Sequence, residues 1–71
     1  MKLQRTYKQG TLIKFKWYDD YRDRWENPSN FRVIEGVVQY HDHLFFDNVT
    51  VHNSHDNVTY IIYCDDIIQN F

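Results

Sequence analysis

The chain has 71 residues, a formal net charge of −2, 42% hydrophobic and 25% charged residues, and a single Cys. That length admits one domain, 1–71, with a thin core, and 18% aromatics with only two Gly and one Pro exclude a disordered chain. Lone Cys64 excludes an internal disulfide and a multi-cysteine zinc site.

Sixteen Val, Ile and Thr and thirteen Phe, Tyr and Trp stand against two Glu and no Ala. Stiff branched and aromatic side chains suit a pleated surface, so the composition predicts an all-β chain. No run approaches the ~20 apolar residues of a membrane span. The basic start is followed by no apolar run, which gives a cytoplasmic expectation.

Residues 1–9 carry Lys2, Arg5 and Lys8 and read as a basic arm. The first strand signal is Leu12 to Tyr18, where Ile13, Phe15 and Trp17 alternate with Lys14 and Lys16. Residues 19–27 are polar and admit two readings. The pairs Asp20/Arg24 and Arg22/Glu26 have the i,i+4 spacing of a short helix. The Asp and Asn residues equally favour an irregular loop, and Pro28 ends either one.

A second strand is predicted from Phe31 to Tyr40, with Gly36 marking a bulge or bend. His41-Asp42-His43 reads as a tight turn. Leu44-Phe45-Phe46 begins a third strand, resumed by Val49 to His52. Residues 53–57 form a turn cluster. Val58 to Tyr63 is apolar on both faces and is predicted to be a central strand. Cys64-Asp65-Asp66 is a one-turn link to a short fifth strand, Ile67 to Phe71. The connections are too short for parallel crossovers, so the topology is an antiparallel meander. Five bent strands of this length suit a small SH3-like or Sm-like barrel. Its predicted interior is Ile13, Phe15, Val38, Tyr40, Val49, Val51, Ile61 and Ile67.

Charge is unevenly placed. Residues 1–17 hold five cations and no acid, and residues 33–71 hold six acids, all four His and no Lys or Arg. A basic strand laid beside acidic ones would account for this. The alternative is a nucleic-acid contact through Lys2, Arg5, Lys8, Lys14 and Lys16, although dedicated binders run more strongly basic.

Site chemistry is sparse. Neither a nucleophile motif nor a phosphate loop is present, and adjacent carboxylates such as Asp65-Asp66 point apart. No enzymatic activity, cofactor or metal is expected; His41, His43, His52 and His55 read as exposed turn residues. The distinctive stretch is Trp17-Tyr18-Asp19-Asp20-Tyr21-Arg22-Asp23-Arg24-Trp25. Tyr, Trp and Arg dominate interface hot spots. Tyr18, Tyr21, Arg22, Arg24 and Trp25 are therefore the predicted protein contacts, and the bland reading has the two Trp packing over an open end of the barrel. The last strand, which carries no Lys or Pro guard, adds an expectation of edge-to-edge pairing into a homo-oligomer or of docking by a partner strand.

Gly36-Val37-Val38-Gln39-Tyr40-His41-Asp42 and Tyr60-Ile61-Ile62-Tyr63-Cys64-Asp65-Asp66-Ile67-Ile68 together resemble the C-terminal part of the YolD-like proteins of low-GC Gram-positive bacteria and their phages. The shared stretch covers just under half the chain. The resemblance implies a small Sm-like barrel, phage- or mobile-element-encoded, with a protein-binding accessory or inhibitor role. It transfers no functional residues.

Overall fold

A computed structural model describes residues 7–42 and 48–70. Five strands, β1 (Leu12–Trp17), β2 (Arg32–Asp42), β3 (Asn48–Asn53), β4 (Val58–Tyr63) and β5 (Ile67–Asn70), form one antiparallel sheet in the order β4-β3-β2-β1-β5. A single helical turn, α1 (Asp23–Glu26), lies in the connection from β1 to β2, and a 3-10 turn at Cys64–Asp66 joins β4 to β5. The chain is thus mainly β, as its composition predicts. The short-helix reading of residues 19–27 holds for one turn.

Alternation builds the core. Ile13 and Phe15 of β1, Ile34 and Val38 of β2, Val49 and Val51 of β3, and Tyr60 and Ile62 of β4 face inward together with Tyr7. Ile67 and Trp17 pack partly buried against them. Tyr7 anchors the end of the predicted basic arm. Gly10 then donates its N–H to the carbonyl of Val38, and Val38 donates to Thr11.

The sheet curls. Adjacent strands lie ~4.8 Å apart, so β4 and β1, three places apart in the order, would be ~14 Å apart in a flat sheet. Yet the rings of Trp17 and Tyr60 meet edge-on at 4.8 Å, and those of Phe15 and Tyr60 at 5.5 Å. Side chains of β1 and β4 therefore close over a shared core, while each of these residues stays on its own strand.

Five sequence expectations change. The irregularity in β2 lies not at Gly36 but between Val38 and Tyr40, where the register against β3 shifts. The extra residue reverses the facing: Tyr40, expected inside, is 61% exposed, and His41 takes the inward position. Ile61 is likewise outside, because Tyr60 and Ile62 take the core positions of β4. His41 and Asp42 belong to β2 rather than to a turn. Finally, β4 is an edge strand, pairing with β3 alone among the described residues. The Leu44-Phe45-Phe46 segment and His43 lie outside the described residues.

The β3–β4 turn follows its sequence. Asn53 accepts the N–H of Asp56 on its side-chain oxygen at 2.8 Å and donates its amide to the Glu35 carbonyl at 2.8 Å. Asn57 takes the left-handed conformation, φ 57°, which Asn tolerates better than most residues.

Candidate functional site

The connection from β1 to β2 is folded back on itself by its own side chains. Asp20 accepts the backbone N–H of Arg22 at 3.1 Å and two guanidinium bonds from the same residue at 3.2 and 2.9 Å. These bonds hold the Asp20 carboxyl below its usual range and raise Arg22 above its own. Asn30 donates to Asp23 at 2.8 Å, and the Tyr18 hydroxyl donates to the Pro28 carbonyl at 2.9 Å. Arg32 grips Asp19 with two bonds of 2.9 and 2.8 Å, which raise Arg32 above its ordinary value. An Asp-, Asn- and Arg-rich stretch thereby acquires a fixed shape with only one helical turn.

That shape forms one wall of a groove of about 310 Å³. The wall is Lys16, Trp17, Tyr18, Asp19, Tyr21 and Arg24; the opposite wall is Ile61, Ile62 and Tyr63, with Asp66 at the 3-10 turn. Successive residues of a strand point to opposite faces. That three consecutive residues of β4 line it puts the groove beside the edge of β4 that is unpaired among the described residues.

Arg24 is central to this geometry. Its Nε donates to both oxygens of buried Asp66, at 3.3 and 3.0 Å. Its guanidinium carbon lies 4.4 Å from the centre of the Tyr63 ring and 4.9 Å from that of Trp25. A carboxylate and two aromatic faces therefore fix the plane of the guanidinium.

Of the predicted contact residues, Tyr21 is 75% and Trp25 69% exposed, Arg22 is exposed, and Arg24 is half-buried at the groove. Tyr18 lines the groove but is only 8% exposed, its hydroxyl spent on Pro28 and its ring edge-on to Phe31. Trp17 packs against the core whereas Trp25 does not, which divides the two Trp between the interior and the surface. Ile61, Tyr63 and Asp66 were missed as site residues. For Ile61 and Tyr63 the sequence signals only that both faces of this strand are apolar, not which residues point outward. Asp66 has none, since its partner is 42 residues away.

The described basic residues of the predicted nucleic-acid set are Lys8, Lys14 and Lys16. Lys2 and Arg5 lie outside the described residues. Lys8 is exposed ahead of β1, Lys14 stands opposite Glu35 in the β1–β2 register, and the Lys16 ammonium sits over the Phe31 ring at 5.4 Å.

The histidines are not all turn residues. His41 is buried, His52 sits on β3 with Nδ1 3.2 Å from the Thr59 hydroxyl, and His55 is exposed in the turn. His41 Nδ1 accepts the N–H of Tyr7 at 3.1 Å, so its neutral ring carries the proton on Nε2, 3.2 Å from Cys64 Sγ. In that tautomer His41 donates to the sulfur and cannot take its proton, so the pair is not set up as nucleophile and base. Among the described residues no group of three or more His, Cys, Asp or Glu could hold a metal ion, and no helix is long and apolar enough to cross a membrane.

Comparison with protein families, with curated proteins and with solved structures finds no match.

Proposed function

We propose that this chain is a small SH3-like or Sm-like barrel module that acts by binding another protein. The supporting observation is the groove, flanked by the exposed side chains of Tyr21, Ile61 and Tyr63 and by Trp25 stacked on Arg24. Large rigid aromatics give contact area at low entropic cost, and Arg adds forked hydrogen bonding. The barrel assignment draws on the strand order, the 3-10 link between β4 and β5, and the contacts of β1 and β4 across the core. The module has no enzymatic role in this reading, and the YolD-like resemblance suits a phage or mobile-element accessory or inhibitor. Nucleic-acid binding is less favoured: Lys14 faces Glu35 and Lys16 is engaged by Phe31.

The test is selection of random peptides displayed on phage against the folded chain, followed by amide chemical-shift mapping of the enriched peptides. Shifts are expected at Tyr21, Trp25 and Ile61 to Tyr63. Trp25→Ala should weaken binding by ~2 kcal/mol or more while leaving the unfolding midpoint unchanged. Absence of enrichment, or a Trp25→Ala chain that stays folded and binds normally, overturns the reading. So does a Trp25→Ala chain that unfolds, since Trp25 would then be a lid on the core.

A further inference from the structure

We infer that the groove takes an extended partner segment which pairs with the open edge of β4 and sets a carboxylate on the outer fork of Arg24. The inference rests on the protein-binding reading and specifies the chemistry of the occupant.

Two independent observations carry it. The first is the edge itself. Ile61, Ile62 and Tyr63 all line the groove, so the backbone edge between them faces its occupant. The six residues of β4 contain neither a charge nor Pro, the usual devices that keep a strand edge from accepting another strand. Main-chain bonds along such an edge bind any extended segment; side-chain sites beside it choose among them.

The second observation concerns Arg24. Its hydrogen bonds with the described residues run through Nε alone, to Asp66. The terminal Nη groups, which form the forked donor pair, are not used in those bonds, although the group is held in plane by Asp66, Tyr63 and Trp25. Such a guanidinium has lost its rotational freedom before a ligand arrives, and its fork matches a carboxylate.

The lining carboxylates do not occupy the fork. Lys16 and Arg24 line the groove with Asp19 and Asp66, two cations against two carboxylates. Asp19 is bonded to Arg32 and Asp66 to the Nε of Arg24, so in these bonds neither carboxylate takes the Nη pair. A segment with a single Asp or Glu among β-branched residues fits both the edge and the fork, whereas a basic segment offers the fork no acceptor.

The probe is an acetylated, amidated heptapeptide of alternating Thr and Val with one central Glu, compared with its Gln counterpart on the full chain. Amide and Arg side-chain shifts are followed by NMR. The Glu peptide should shift the amides of Ile61, Ile62 and Tyr63 and the Arg24 Nε signal to saturation. The Gln peptide should bind about tenfold more weakly, the worth of one charge-assisted pair. Arg24→Lys, which keeps the charge but not the fork, should narrow that difference. Equal binding of the two peptides by the wild-type chain overturns the carboxylate site without needing any variant. It leaves the protein-binding reading standing if both peptides shift the groove. Saturable binding that does not move the β4 amides overturns strand pairing, and no binding by either peptide overturns the inference as a whole. The protein-binding reading itself is decided separately by the random selection.

Discussion

Gly36 faces the backbone of β3 more closely than a side chain would allow. A Cβ there would lie 2.5 Å from Val51 Cγ1 and 2.9 Å from the His52 carbonyl oxygen. The Val51 methyl could turn aside, but the carbonyl is part of the sheet. Gly36→Ala should therefore cost ~1–3 kcal/mol of stability, read as a lowered denaturant midpoint. Sequence reading singled out this glycine as a bulge or bend; the bulge lies elsewhere, because a bulge and a close approach leave the same mark, a Gly inside a strand. Asp20 lends itself to a different measurement. Its carboxyl is depressed by the hydrogen bonds of the Arg22 guanidinium and then by the Arg22 backbone N–H. A depressed carboxyl contributes stability above its unfolded value, and that contribution is lost as pH falls through the lower folded value. Side-chain NMR titration at low salt should place Asp20 below its ordinary 3.8, and Arg22→Ala should move it back towards that value. The pair lies at the surface, so added salt should act in the same direction as the mutation.

At the scale of elements, strand bounds were more readable than strand faces. Val58 to Tyr63 was located correctly, as was the one-turn link at 64–66, because the turn cluster at 53–57 precedes the strand and Asp65-Asp66 breaks the apolar run after it. The facing of Tyr40 failed because an extra residue in β2 reverses the alternation, and nothing in Val37-Val38-Gln39-Tyr40 marks where it falls. The facing of Ile61 failed because Tyr60-Ile61-Ile62-Tyr63 is apolar throughout and so carries no period. The same run led to a central position for β4, whereas its outer apolar residues flank a groove. The Arg24–Asp66 link was out of reach altogether, since it depends on how the 3-10 turn meets the β1–β2 connection. A β4 edge that is unpaired among the described residues and is proposed to take a partner strand is also a candidate for pairing with a second copy of this chain. We expect weak self-association at high concentration, seen by light scattering as a mass above that of the monomer. Ile61→Lys should abolish it while changing stability by no more than ~0.5 kcal/mol, as Ile61 is already outside. A wild-type chain that stays monomeric at every concentration would count against the edge as an adhesive surface.

For the molecule as a whole, the pairing of β1 with β5 sets the order in which folding can happen. Phe15 is bonded into a sheet with Ile34 on one side and Ile67 on the other. The hairpins β1–β2, β2–β3 and β3–β4 can form as soon as their own residues are free, but β1 keeps an open flank until β5 arrives. Closing that long separation costs chain entropy before any contact repays it, and sheets of this kind fold in milliseconds to seconds. Stopped-flow refolding should fall in that range, far slower than for a helical chain of the same length. Until β5 docks, Phe15 and Ile13 are paired on one side only, and the exposure of that flank to proteases and chaperones ends when Ile67 and Asn70 pair beside them.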